Sequence, residues 1–186
     1  RSSDRVDFFI ANSRNVANRI HQYYRRPAEV IHPPVNVDQC VVSKTDEGYF
    51  LIVSALVPYK RVDLAVETFN HLGERLLVVG TGPEAKRLQS MANNNTQFLG
   101  WKNDLELSKL YAGCRALIFP GIEDFGIVPL EAMASGKPVI AYAAAGSFLK
   151  LARCNDATCS SPAPTLTNVD FASSSVSLVL DSSGFP

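Results

Sequence analysis

Two features of the chain predict an α/β fold built on a doubly wound, parallel, Rossmann-like sheet. From Tyr49 to Tyr142, apolar runs of strand length alternate with segments of helical periodicity, and such alternation sets consecutive strands parallel with helices across the sheet faces. Glycine and proline close several of the runs, as in Val79-Gly80-Thr81-Gly82-Pro83 and Phe119-Pro120-Gly121, and these residues mark the turns from strand to helix.

The elements follow in order. Val6 to Ala11 reads as a strand, and Asn12-Ser13 as the cap of a helix that carries Val16, Ile20 and Tyr23. Ala28 to His32 reads as a short strand closed by Pro33-Pro34, and Asp38 to Glu47 as a polar loop. The repeat then begins. Tyr49 to Leu56 is a strand, Val62 to Leu72 an amphipathic helix, Leu76 to Val79 a strand and Pro83 to Ala92 a helix. Thr96 to Leu99 is a strand, Asp104 to Ala112 a helix and Ala116 to Phe119 a strand. A helical pattern resumes near Ile127, with Pro129 tolerated in its first turn, and Lys137 to Tyr142 is a further strand.

Composition narrows the function classes. The 186 residues allow one full core and part of a second domain. Eighteen basic and eighteen acidic residues balance, so there is no electrostatic footprint for nucleic acid. No apolar stretch reaches the roughly 20 residues of a membrane span, and no secretory leader pattern precedes the domain, so the expected location is the cytoplasm, with at most peripheral membrane contact. The four cysteines, Cys40, Cys114, Cys154 and Cys159, form no C-x-x-C pair and the histidines His21, His32 and His71 are scattered. Free thiols and no metal are expected.

The chemistry concentrates in loops that follow strands, where open α/β sheets bind ligands. Glu123 and Glu131 stand in the stretch Phe119-Pro-Gly-Ile-Glu-Asp-Phe-Gly-Ile-Val-Pro-Leu-Glu131-Ala-Met-Ala-Ser-Gly-Lys-Pro-Val-Ile-Ala141. Glu123 falls on a loop and Glu131 on a helix. Between them Phe125, Gly126 and Ile127 would offer unpaired backbone N–H groups at a helix N-terminus, which suits a diphosphate, and Gly126 would let a ligand approach the backbone. Two carboxylates there suit the vicinal hydroxyls of a ribose and a hexose. The plainer account makes Glu131 a complement to the helix dipole, worth about 0.3–1 kcal/mol, and Glu123 a solvated charge. Taken alone the pair fits that account, and the neighbouring loops shift the balance.

Three such loops stand out. In Ser54-Ala-Leu-Val-Pro-Tyr-Lys60-Arg61, Lys60 would reach a crevice and grip a diphosphate with a charge-assisted hydrogen bond of about 1.5–3 kcal/mol. In Val79-Gly80-Thr81-Gly82-Pro83, paired glycines let the backbone come close either to a ligand or to another element. The third glycine of a dinucleotide fingerprint is missing, which argues against a nicotinamide enzyme. In Phe98-Leu-Gly100-Trp101-Lys102, Trp101 either stacks on a base or caps the edge of the core.

From Tyr49 to Ala145 the chain resembles the retaining glycosyltransferases of family four, through their E-x7-E signature, the V-S-A-L-V-P-Y-K-R loop and the stretch C-R-A-L-I-F-P-G-I-E-D-F-G-I. The resemblance implies the donor-binding half of a two-domain GT-B enzyme. It gives Glu123 the transferred sugar, Phe125, Gly126 and Ile127 the sugar and diphosphate through backbone amides, Glu131 the ribose hydroxyls and Lys60 the diphosphate. Gly80, Gly82, Gly100 and Trp101 would line the rest of the donor site. The family often has an arginine where this chain has Ala55, so that part of the phosphate grip is absent or falls to Arg61. The wording is closest to mannosyltransferase-like proteins of polysaccharide assembly, which makes GDP-mannose the leading donor, with a UDP-sugar as the other choice. Lys60 and Glu123 are the implied catalytic pair, and neither a metal nor a cofactor is implied.

Three domains are expected: residues 1–37 as the end of an acceptor domain and its crossover, 38–150 as the donor domain, and 151–186 as an atypical serine-rich tail, disordered or poorly packed. Leu151 to Pro186 holds eight serines and neither lysine nor glutamate. The acceptor, a glycan or a lipid-linked glycan, would bind a domain this chain does not include, so the chain alone should bind donor and barely catalyse. Two alternatives stay open: a nucleotide-binding module without activity, and a GT-B nucleotide-sugar epimerase or sugar phosphorylase.

Overall fold

The computed structural model describes residues 2–121, 123–143, 148–153 and 165–169. Its main body is a seven-stranded sheet. The strands are β3 (Tyr49–Val53), β4 (Leu76–Val79), β5 (Thr96–Gly100), β6 (Cys114–Phe119), β7 (Val139–Ala143), β8 (Phe148–Arg153) and β9 (Thr165–Val169), in the spatial order β5-β4-β3-β6-β7-β8-β9. The first five run parallel. The chain moves outward from β3 to β5, returns, and moves the other way from β6, so β3 and β6 meet at the topological switch point of a doubly wound sheet.

Helices cover both faces of this sheet. α2 (Val62–Leu72) and α3 (Ala85–Met91) pack on one face with Phe50, Ile52, Leu76, Val78 and Ile140. α4 (Asp104–Gly113) and α5 (Ile127–Ala134) pack on the other with Tyr49, Leu51, Leu77, Val79 and Leu117. The alternation of Tyr49 and Leu51 against Phe50 and Ile52 is the period of two that a strand buried on both faces requires. Local signals fix the helix ends: Asn103 and Glu106 form a reciprocal capping box on α4, and Gly73 closes α2 in the left-handed conformation.

Residues 10–30 form a separate βαβ unit. β1 (Ile10–Ala11) and β2 (Glu29–Val30) pair in parallel as a second, two-stranded sheet, joined by α1 (Arg14–Tyr24). Ser13 caps α1, its hydroxyl accepting from the Val16 N–H at 3.2 Å. Both strands are shorter than the sequence predicts, because each finds a partner over only two residues. The strand expected to reach Leu56 ends at Val53 for a different reason: beyond it the backbone pairs with the β4 loop, Leu56 N–H donating to the Thr81 carbonyl at 2.9 Å.

The carboxyl-terminal part differs from the sequence expectation. Phe148–Arg153 and Thr165–Val169, which run into the segment from Leu151 expected to be disordered or poorly packed, add two antiparallel strands at the β7 edge. Thr165, Thr167 and Val169 alternate with Leu166 and Asn168, a β-branched pattern suited to a strand, and an open sheet edge offers it a template. The remainder of the serine-rich tail, with Cys154 and Cys159, lies outside the described residues. Of the other two cysteines, Cys114 is fully buried, and burial pushes its thiol up to about 12.

The glycines of the β4 loop are packing positions. A Cβ at Gly80 (φ +132°) would stand 1.9 Å from the Ser54 carbonyl oxygen, and one at Gly82 would stand 2.3 Å from that of Leu56. Gly80→Ala should therefore lower the urea unfolding free energy by at least the roughly 1–3 kcal/mol of an overpacked core. Gly48→Ala, at φ +74° with open space around it, should cost only the roughly 1–2 kcal/mol of a left-handed alanine.

Candidate functional site

The loops after β3 and β6 meet at the switch point. After β3 the chain turns through a short 3-10 segment, Pro58–Lys60, and Arg61 adopts the left-handed conformation (φ 52°) before α2 starts. This kink directs Lys60 inward: the residue is 8% exposed although it carries a charge. Gly121 is what lets the β6 loop close on it, since a Cβ there would lie 2.9 Å from the Lys60 Cα and carbonyl oxygen. The two loops are in backbone contact.

In that contact Lys60 Nζ forms an ion pair with Glu123 Oε1, the lysine side chain 10% and the glutamate 36% exposed. Burial holds the Lys60 ammonium below the usual lysine range, and the negative charge of Asp124 opposes the shift. The sequence placed these two residues in one crevice; the structure joins them directly.

Glu131 sits differently. It lies on α5, and its Oε2 accepts a hydrogen bond from the Tyr111 hydroxyl on α4 at 2.8 Å. Burial raises its carboxyl above the usual range, partly countered by that hydrogen bond. Gly126 is the N-cap of α5 with φ 88°, a conformation that suits glycine. A Cβ there would meet only Pro129 at 3.6 Å, so the backbone angle and not crowding explains the residue. Ile127 opens the helix and is 43% exposed, and Phe125 precedes it, half-buried.

The remaining candidates divide. Trp101 is 72% exposed, so most of its ring is uncovered by the core. Gly100, at φ +69° with nothing within 4 Å of its Cβ position, ends β5 in open space. Gly80 and Gly82 face protein backbone, as described above, so close approach of the β3 and β4 loops accounts for them without a ligand. Arg61 is engaged with Asp63, Nε donating to Oδ1 at 3.2 Å. Two residues of the site carried no signal of their own. Tyr111 reads as one more apolar position of a helix, and Gly121 as a plain strand-ending glycine.

Among the described residues no group of three or more histidine, cysteine, aspartate or glutamate side chains is placed to hold a metal ion. Among them, too, no helix is long and apolar enough to cross a membrane.

Residues 38–162 match the family described as glycosyl transferases group 1. The chain belongs to that family. It is 32% identical over 151 residues to the O-antigen chain mannosyltransferase RfbU of Salmonella typhimurium, covering 75% of the chain and 43% of that protein. It is 29% identical over 145 residues to an uncharacterized glycosyltransferase of Methanocaldococcus jannaschii, covering 75% and 41%. A GDP-mannose-dependent alpha-mannosyltransferase of Mycobacterium tuberculosis is 39% identical over 95 residues, covering 50% of the chain and 25% of that protein. The structure of Anabaena HepE in complex with UDP and glucose superposes with a TM-score of 0.67 at 22% identity, covering 75% of the chain and 45% of HepE. Staphylococcus aureus TarM superposes with a TM-score of 0.65 at 19% identity, covering 76% and 31%. The fold is that of a glycosyltransferase of the GT-B type. The chain spans less than half the length of the curated relatives it matches.

The raised Glu131 carboxyl sets a pH dependence. A group whose pKa is higher in the folded than in the unfolded state favours folding below its ordinary value, and that advantage is lost as pH rises through the folded value. The stability of Glu131→Gln relative to the wild type should therefore increase between about pH 4 and pH 7, as read from urea unfolding at each pH. Tyr111→Phe, which strips the carboxylate of its donor, should cost about 1–3 kcal/mol at pH 7 and less at pH 4.

Proposed function

We propose that this group 1 glycosyltransferase transfers a hexose, with retention of anomeric configuration, from a nucleoside diphosphate sugar to a glycan or lipid-linked glycan, in the manner of family four. Residues 38–150 are its donor-binding domain, and residues 1–37 are the end of the acceptor domain and the crossover. The formation of a separate two-stranded sheet by residues 10–30 supports that division.

The observation that carries the proposal is the pairing of Lys60 with Glu123 across the switch point. A buried cation and a carboxylate on two touching loops match the two ends of a sugar diphosphate: the ammonium takes the phosphate oxygens, and the carboxylate takes sugar hydroxyls. As the bond to the sugar breaks, negative charge grows on the departing diphosphate. Lys60 and the N–H groups at the start of α5 are fixed donors near that charge, and stabilisation by groups already in place needs no reorganisation. Glu123 orients the sugar. Glu131 serves the ribose, and its hydrogen bond from Tyr111 holds the carboxylate in one rotamer.

GDP-mannose is the donor that the mannosyltransferase names among the relatives support; the HepE complex with UDP and glucose keeps UDP-sugars as the competing class. O-antigen chain transfer in a relative supports a polysaccharide acceptor. In this account the protein works in the cytoplasm, with at most peripheral contact to a membrane.

Calorimetric titration with GDP-mannose, GDP, UDP-glucose, UDP and NAD, with and without magnesium, tests the reading. Binding of GDP-mannose above the others, unchanged by magnesium, is the expected result. Lys60→Ala and Glu131→Ala should each weaken it by about 1.5–3 kcal/mol, roughly 10- to 150-fold. Unchanged affinity in both variants would sink the assignment of the site. Affinity for nucleotide with no preference for the sugar would leave a nucleotide-binding module instead.

A further inference from the structure

The loop that carries Glu123, Phe125 and Gly126 is gripped by a part of the chain that belongs to a different sheet. Arg19 on α1 donates through Nη1 to Asp124 Oδ1 at 2.7 Å. His32, just beyond β2, stacks on Phe125 with ring centroids 5.6 Å apart and planes inclined by 26°. The histidine is itself tethered, its Nδ1 lying 3.0 Å from the Asn12 carbonyl oxygen in the turn between β1 and α1. The ladder bonds Glu29 N–H to Phe9 O and Ile31 N–H to Ala11 O, 3.0 and 2.9 Å, bind the same unit together. Two contacts from one small body therefore land on consecutive residues of the loop, directly after Glu123.

Neither contact is strong alone. Arg19 and Asp124 are 56% and 49% exposed, and an exposed ion pair changes an equilibrium by a factor of about two to five. An aromatic stack adds roughly two- to ten-fold. Acting on one short segment they combine. Among the described residues of the segment, Glu123 pairs with Lys60, and Arg19 and His32 hold the two residues that follow it.

We propose that Arg19 and His32 are positioning residues for the donor, acting through Asp124 and Phe125 to hold the 123–126 loop where Glu123 meets Lys60. The functional sense of this rests on the donor reading of that loop. It also makes the βαβ unit of residues 10–30 the element through which the rest of the enzyme would influence donor binding, because a displacement of α1 pulls on Asp124.

Hydrogen exchange and ligand titration on the same variants test it. In Arg19→Ala/His32→Ala, peptides covering residues 120–127 should exchange about 5- to 30-fold faster, with β3 and β4 peptides unchanged. Arg19→Asp combined with Asp124→Arg should restore much of the slow exchange that either single change loses. Affinity for a nucleoside diphosphate sugar should fall by a similar factor, while that for the corresponding nucleoside monophosphate stays constant. A merely structural role would move both ligands alike. Unchanged exchange at 120–127, or faster exchange with unaltered discrimination between the two ligands, overturns the proposal. If the wild type binds no nucleotide sugar, the donor reading fails, and the exchange data alone then uphold or overturn the grip on the loop.

Discussion

An ammonium withdrawn from water needs an anion beside it, and Lys60 imposes that condition on everything around it. The residue is almost fully buried, so a carboxylate must come to it, and the one that does belongs to the loop after β6. That loop reaches Lys60 only because β6 lies next to β3 in the sheet, and β6 lies there only because the chain reverses direction after β5. Gly121 supplies the last ångströms by letting backbone touch backbone. Strand order, loop contact and charge pairing form a single chain of requirements. The switch point is the natural site for it, since two loops that leave neighbouring strands for opposite faces open a crevice between them.

Much of this was legible in the residues. Apolar runs such as Tyr49-Phe-Leu-Ile-Val53 and Leu76-Leu-Val-Val79 alternate with segments of helical periodicity, which is why they indicated parallel strands with helices across the sheet faces. Lys60 and Glu123 stood in loops that follow strands, where a doubly wound sheet binds ligands, and Glu131 on the helix after the second loop. What stayed hidden depends on contacts between distant segments. The glycines of the β4 loop could serve a ligand or a neighbouring backbone, and only the positions of Ser54 and Leu56, 26 residues earlier in each case, decide for the backbone. Tyr111 meets Glu131 because α4 and α5 share a face, a fact no local pattern carries. Arg19 and Asp124 are 105 residues apart, and their types alone would suggest two solvated charges.

The carboxyl-terminal strands show a different limit of composition. Serine-rich composition argues for a segment that cannot bury enough apolar surface to order itself. Edge addition asks for less: a backbone free to pair and a period of two suffice, because the sheet already exists. Thr165–Val169 meets that condition and continues the sheet from β8. Composition measures whether a segment can fold alone, which is a different question from whether it can extend a structure already formed.

In the proposed donor reading, a ligand would meet two carboxylates that already have partners. Glu123 holds the cation, and Glu131 accepts from Tyr111. Binding is therefore an exchange of partners, and its free energy is the difference between the contacts made and those given up. For Glu131 the two need not compete, since a carboxylate has about four acceptor positions and Tyr111 takes one. For Lys60 and Glu123 they do compete, because an ammonium that turns to a diphosphate loosens its hold on the carboxylate. The freed carboxylate is then exposed to the part of the ligand that carries hydroxyls. A nucleotide without its sugar would claim the lysine and leave Glu123 without a compensating partner, whereas a complete donor would satisfy both groups at once. In the proposed donor reading, discrimination for the sugar would arise from the Lys60–Glu123 pair: the cost of separating the two would be met in full only by a ligand that offers phosphate to one and hydroxyls to the other.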